Sequence, residues 1–213
     1  MKFKIDLHVH TTHSPCALIK PEKIEKIALE QGLNGVAITD HNTIDGALEV
    51  LSFAQSVRII VAEEIKTSHG EIIGYFLKEE ITPHLSPKET IREIRKQGGL
   101  VSIPHPFDRL RSSRISREAL EDIIHEVDMI EIFNSRDILT IKDHQLLEKA
   151  IKNGAVPIAG SDAHLNIEVG RSYMILDEFK TPEEFLQNIG NAQLVSRKSP
   201  FWVHFITKLI KRL

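Results

Sequence analysis

Nearly every apolar, β-branched run in this chain ends in side chains that bind divalent cations, and that regularity restricts the fold. The runs span 2–9, 34–39, 57–63, 71–77, 100–104, 128–133, 155–160 and 172–176. At or just beyond their ends stand His8 and His10, Asp40 and His41, Glu63 and Glu64, His105, Glu131 and Asn134, and Asp162 and His164. Alternate residues of an extended strand point to one face, so His8 with His10 can address a single point, and so can Asp162 with His164. Imidazole and carboxylate converging from distant strands are what a divalent transition metal requires. Packing alone gives no reason for ligands at the same end of six runs. A parallel α/β barrel does, because its C-terminal strand ends share one rim.

The gaps between the runs carry helical periodicity. Helices are predicted over 21–31, with Pro21 in the first turn, and over 43–55. Ser86-Pro87-Lys88-Glu89 is a capping-box start for a helix over 87–97, which Gly98-Gly99 stops. Further helices are predicted over 116–125 and 139–153, the latter ended by Gly154, and another begins at Thr181-Pro182-Glu183-Glu184. Strands alternating with helices imply a mostly parallel sheet. The link between runs 57–63 and 71–77 is too short for a parallel crossover, so that pair is predicted to be a hairpin.

Composition removes several alternatives. A chain of 213 residues, 41% hydrophobic and 27% charged, suits one domain spanning 1–213 and buries a core without disulfides. The single cysteine, Cys16, excludes an intrachain disulfide. The net charge of −3 gives no global field favouring nucleic acid. No glycine-rich phosphate loop follows a strand, and no Ser-His-Asp nucleophile motif is visible. No apolar run approaches the roughly 20 residues of a membrane span, and strand-like Lys2-Phe3-Lys4-Ile5 stands where a signal segment would be apolar. A cytoplasmic protein is the expectation; a homo-oligomer is left open.

Asp-Leu-His-Val-His-Thr (6–11), Ile-Thr-Asp-His-Asn (38–42), Glu-Glu-Ile (63–65), Pro-His-Pro (104–106) and Gly-Ser-Asp-Ala-His (160–164) occur in the order seen in the PHP (polymerase and histidinol phosphatase) family. The chain resembles that family from residue 3 to about residue 176. The resemblance implies a distorted (β/α)7 barrel, two or three divalent metal ions (Mn, Zn or Fe), and hydrolysis of phosphoesters by a hydroxide held between metals. Carried over by residue, it implies that His8, His10, Glu64 and Asp162 hold one metal, with Glu64 bridging to another. It likewise gives His41 and His164 to a second metal and His105 to a third. The sequence departs from the commoner family pattern twice. After His10 the segment Thr-His-Ser-Pro-Cys (12–16) offers His13 or Cys16, and Glu71 stands where relatives often carry a histidine.

Other residues weigh in around this set. Asp6 is read as a hydrogen-bonding support for a ligand histidine, and Asp40 as a cap or a support of that kind. Arg136 and Arg171 are the candidates for a bidentate clamp on a substrate phosphate, with Arg109, Arg111 and Lys20 open. The tail, 200–213, places Trp202, Phe205, Ile206, Leu209 and Ile210 on one helical face beside Lys208, Lys211 and Arg212. That stripe is expected to pack on the barrel or a second subunit, with an anionic membrane surface as the alternative. The expected substrate is a small phosphorylated metabolite or nucleotide. Histidinol-phosphate phosphatase and oligonucleotide nuclease are alternative enzymes, the latter disfavoured by the acidic charge and the lack of a basic aromatic strip. A non-catalytic regulatory subunit is the reading from another class.

Overall fold

A computed structural model describes residues 2–210. Nine strands form one sheet: β1 (Lys2–Val9), β2 (Gly35–His41), β3 (Arg58–Thr67), β4 (Gly70–Tyr75), β5 (Leu100–Ile103), β6 (Met129–Asn134), β7 (Val156–Gly160), β8 (Tyr173–Asp177) and β9 (Gln193–Val195). Seven α-helices accompany them, the last after β9: α1 (Ile24–Glu30), α2 (Asp45–Phe53), α3 (Pro87–Lys96), α4 (Arg117–Ile123), α5 (His144–Lys152), α6 (Pro182–Ile189) and α7 (Val203–Ile210). The strand order is β7-β6-β5-β4-β3-β2-β1-β8-β9.

The sheet curls into a nearly closed barrel. Past β7, Ala163 N–H donates to His8 O (3.2 Å) and His10 N–H donates to Ala163 O (2.9 Å), so the chain after the last parallel strand joins the end of the first. Gly160 permits that approach, because a Cβ there would collide with His8 Cβ and Glu131 Oε1. Tyr75 is wholly buried, and its hydroxyl donates to Leu7 O (2.9 Å). That bond links β4 to β1, which are not neighbours in the sheet, and so crosses the interior beneath the ligand-bearing rim.

The sheet is less parallel than the alternation of elements implies. β1, β2 and β3 pair in parallel, as do β5, β6 and β7, but β4 runs antiparallel to both its neighbours. The predicted hairpin is present as β3–β4. One consequence concerns the site: the start of an antiparallel strand lies at the rim where its neighbours end, so Glu71 enters that rim from the beginning of β4. β8 and β9 add an antiparallel extension on β1. A strand over 193–195 was not expected from the sequence, since three residues carry too little alternation to register.

Local signals account for the helix starts. Ser86 accepts from Glu89 N–H and the Glu89 side chain accepts from Ser86 N–H, a complete capping box at α3. The expected helix over 139–153 begins only at His144, because Asp143 caps it by accepting from Leu146 N–H. Residues 139–141 instead bond to the loop after β5, through Arg109 N–H to Leu139 O and Ile141 N–H to Phe107 O (both 3.0 Å). The tail corrects the expectation that its stripe packs on the barrel. In α7 the buried side chains are Val203 and Thr207, while Phe205, Ile206 and Leu209, with Trp202 just before the helix, face solvent. The stripe therefore does not pack on the barrel. Lys211 and Arg212 lie outside the described residues, and the side chain of Ile210 is likewise not described.

Candidate metal centre

Six strands and their following loops deliver acceptor atoms to one small volume. His8 and His10 point their Nε2 atoms at a common place, 3.1 Å apart. Glu64 Oε2 lies 3.5 Å from His8 Nε2, 3.4 Å from His10 Nε2 and 3.1 Å from His41 Nδ1. The other oxygen, Glu64 Oε1, is 2.8 Å from His105 Nε2. Asp162 Oδ1 sits 3.5 Å from His8 Nε2, 3.3 Å from His10 Nε2 and 3.5 Å from His164 Nδ1. Glu71 reaches in from β4, with Oε2 3.7 Å from His105 Nε2 and Oε1 4.0 Å from His41 Nδ1. Four triads have ligand atoms within 4.8 Å of one another: His8–His10–Asp162, His8–Glu64–His105, His41–Glu64–Glu71 and His10–His41–His164. Two of these positions have left-handed backbone, His105 (φ 31°) and Asp162 (φ 53°), where the chain turns sharply off its strand.

The electrostatics fit cations. Glu64 Oε2, Glu71 Oε2, Asp162 Oδ1 and His105 Nδ1 are buried and have no hydrogen-bond partner. Buried polar atoms are ordinarily satisfied, so three orphaned carboxylate oxygens around one volume form a cradle for positive charge. Burial works against the charge on Glu64, yet His41 and His8 hold its carboxyl well below the usual range. Asp162 is likewise held low against burial, by Arg111 and His8. Burial and the adjacent Glu64 raise Glu71, the group that would gain most from a cation. Burial and the neighbouring His41 push His10 down to about 4, leaving a neutral imidazole, the form that ligates metals.

A second layer of hydrogen bonds aims the candidate ligands. His8 Nδ1–H donates to Glu131 Oε1 (2.8 Å), which fixes the ring with Nε2 turned toward the cluster. The other oxygen, Glu131 Oε2, accepts from His105 N–H (2.8 Å) and Asn134 Nδ2 (3.0 Å), so one carboxylate places two of the candidate imidazoles. Ser14 Oγ lies 3.3 Å from His10 Nδ1, accepts from His41 N–H and donates to Asp40 Oδ1 (2.5 Å), so Asp40 supports His10 through Ser14. Asp6 makes the expected hydrogen bond to a candidate ligand histidine through the backbone of His8, and it also accepts from Ser161 N–H and Gly170 N–H, so it clamps two loops. Glu168 accepts from His164 N–H, Leu165 N–H and Arg136 Nη1. The roles of Glu131 and Glu168 were not assigned from sequence. Glu131 was visible as a polar strand end, whereas nothing local marks Glu168. Glu131→Gln is expected to lower metal affinity by about 10–100-fold without unfolding the chain. Metal titration of the variant against the parent checks this, and equal affinities would reduce Glu131 to a packing role.

The remaining candidates separate. Cys16 is buried, lies against His41 and lines the cavity, although it belongs to none of the four triads. His13 turns away, 2.8 Å from Glu49. Arg171 also points away, its Nε donating to Ile167 O and its Nη1 to Lys198 O. Arg136 lines the cavity, but its Nη1 donates to Glu168 (2.8 Å) and its Nη2 to Thr207 Oγ1 (2.7 Å), which holds the guanidinium in place and ties α7 to the His164 loop. Arg109 and Lys20 are exposed, and neither lines the cavity. Among the described residues, Arg111 is the guanidinium that reaches the cluster, 2.7 Å from Asp162 Oδ2. Around it opens a cavity of about 580 Å³, lined also by Lys66, Ser112, Ser113, His204 and Lys208.

The model of the PHP domain family matches residues 6–186. The chain belongs to the PHP family. Two uncharacterized proteins of Methanocaldococcus jannaschii are similar to it. One is 39% identical over 70% of this chain and 92% of its own length; the other is 36% identical over 92% and 84%. A protein of Acetivibrio thermocellus that carries the name "Probable phosphatase" is 26% identical, over 88% of this chain and 92% of that protein. Among solved structures, the fold is similar to that of a two-domain Bacteroides vulgatus protein described as containing a predicted PHP-like metal-dependent phosphoesterase. The TM-score is 0.72 at 15% identity, over 92% of this chain and 65% of that one. The PHP barrel is thus shown both by the family match and by the fold, and the four triads lie within the matched residues.

Proposed function

We propose that this PHP-family chain is a metal-dependent phosphatase acting on a small phosphorylated molecule. The observation that carries the reading is Arg111. It brings a guanidinium to the edge of a carboxylate–imidazole cluster, in a cavity where Lys66 and Lys208 add positive charge. The volume of about 580 Å³ suits a metabolite or a nucleotide. The family and the name borne by the Acetivibrio thermocellus relative support the same reaction class.

The cations would be held by His8, His10, Glu64 and Asp162, by His41 and His164 with Cys16 alongside, and by Glu64, Glu71 and His105. Bound there, divalent ions lower the pKa of water toward neutrality and withdraw charge from phosphorus. The chain's own residues do the rest. Glu131, Ser14 and Asp40 fix the imidazole orientations. Arg111 exchanges Asp162 Oδ2 for a phosphate oxygen, offering parallel N–H donors to a dianion. Arg136 and Glu168 hold the His164 loop and α7 in place around the cavity.

The test is phosphate release from a panel of phosphomonoesters, nucleotides and short oligonucleotides under Mn²⁺, Zn²⁺ and Fe²⁺. Hydrolysis of at least one phosphomonoester is expected. No release from any monoester at verified metal loading would overturn the reading, and cleavage of oligonucleotides alone would reassign the chain to nucleases. Within the active panel, Arg111→Met is expected to raise KM by about 10–100-fold, the loss of a charge-assisted hydrogen bond, with a smaller change in kcat. An unchanged KM would remove Arg111 from substrate binding.

A further inference from the structure

We propose that the outer face of α7 docks on an anionic lipid bilayer, an interaction independent of the phosphatase reading. The face consists of Phe201, Trp202, Phe205, Ile206 and Leu209, each between 37% and 65% exposed. Soluble surfaces seldom gather five large apolar side chains on one short segment, and such a patch marks an interaction site. The helix keeps its opposite side, Val203 and Thr207, against the protein, with Thr207 anchored to Arg136. Its orientation is therefore fixed from below, and the apolar face is presented outward.

Charge decides the occupant. From residue 197 onward the sequence contains Arg197, Lys198, Lys208, Lys211 and Arg212 and no Asp or Glu, in a chain of net charge −3. Lys198 is spent on the carbonyls of Asn134 and Asp137, but Lys208 is exposed beside the apolar face. A second copy on this face would set these cations against their own duplicates, with no acid in the segment to answer them. An anionic bilayer answers them directly. An amphipathic helix with Trp, Phe and Leu on one side and Lys or Arg beside them lies in the headgroup region, its apolar face just below the surface. Among the described residues no helix is long and apolar enough to cross a membrane, so the contact is one of surface docking. Lys208 and His204 also line the metal cavity, and exposed Leu110 and Ile138 lie at its mouth. A docked α7 therefore brings that mouth toward the bilayer.

Trp202 is the sole tryptophan, so its emission reports this face alone. With the full chain, vesicles of equal parts phosphatidylglycerol and phosphatidylcholine are expected to shift the emission to the blue and to carry the protein in flotation. Pure phosphatidylcholine vesicles are expected to do neither. Phe205→Ser with Leu209→Ser removes only exposed side chains and is expected to abolish both signals at unchanged Tm. Replacing Lys208, Lys211 and Arg212 by Ser is expected to weaken partitioning ~100-fold, at the usual contribution of each cation near an anionic surface. Equal binding to neutral vesicles, no binding to either kind, or a lipid-free dimer in light scattering that buries Trp202 would overturn the proposal.

Discussion

Asp162→Asn is expected to abolish metal-dependent hydrolysis, by at least about 10³-fold in kcat/KM, while the chain stays folded. The side chain is wholly buried, and its Oδ1 has no hydrogen-bond donor although His8, His10 and His164 surround it within 3.5 Å. Its charge is retained against burial because Arg111 and His8 stand beside it. Asparagine keeps the size and removes the charge, so the cation that would lie among His8, His10 and this carboxylate loses an anionic ligand. Asparagine is also the substitution the backbone tolerates: φ at this position is 53°, a region Asn and Asp enter more easily than other side chains. Arg111 loses its partner, but it borders the cavity and can turn to water. The check is activity at matched metal concentration together with Tm and metal content. Full activity in the variant would refute the mechanism, and a collapsed Tm would show instead that the Asp162–Arg111 pair supports the fold.

Much of this centre was legible because strands have a period of two. His8 with His10, and Asp162 with His164, needed only that rule and the apolar runs before them. His41, Glu64 and His105 rest on the resemblance to the PHP family, because adjacent strand residues point to opposite faces and the period alone does not choose His41 over Asp40 or Glu64 over Glu63. The limits are equally physical. Glu64 lies inside β3 rather than at its end, because the strand runs on to Thr67 to make the hairpin. Glu71 enters from an antiparallel strand, a direction periodicity does not encode. Arg171 followed Gly170 in a motif-rich stretch and looked well placed. The turn at Gly170, with φ 75°, sends it back onto Ile167 and Lys198 instead. Arg136 is near the cavity, but Glu168 and Thr207, far away in sequence, each bind one of its terminal nitrogens and hold it in place. Arg111 could not be ranked above it without the fold, because its loop has no regular period. Glu131 and Glu168 act on backbone N–H groups and on the far nitrogen of an imidazole, contacts no local pattern predicts. The tail shows the opposite failure. Its amphipathic period was correctly visible, but a period does not say which side meets the protein.

Glu64→Gln is expected to empty two metal positions, where Glu71→Gln empties one. Glu64 belongs to two of the four triads and approaches His8, His10, His41 and His105, so both of its oxygens are committed. Glu71 belongs to one triad and stays farther from its neighbours, at 3.7 and 4.0 Å. Glutamine at position 64 keeps an oxygen that can accept from His105 Nε2, so the packing between β3 and the loop after β5 survives. What disappears is the negative charge that two cations would share, and with it the means of holding them close together. Activity is expected to fall by about 10³-fold or more, since positioning and activation of water both depend on that pair. For the parent, three ions are expected at saturating Mn²⁺, the one beside Glu71 held most weakly, because a carboxylate replaces an imidazole there and favours a harder ion. Elemental analysis after dialysis against graded Mn²⁺ counts the ions in each protein. If Glu64→Gln retains as many as Glu71→Gln, Glu64 is a ligand of one ion only. If Glu71→Gln matches the parent in number and affinity, the centre holds its metals without β4.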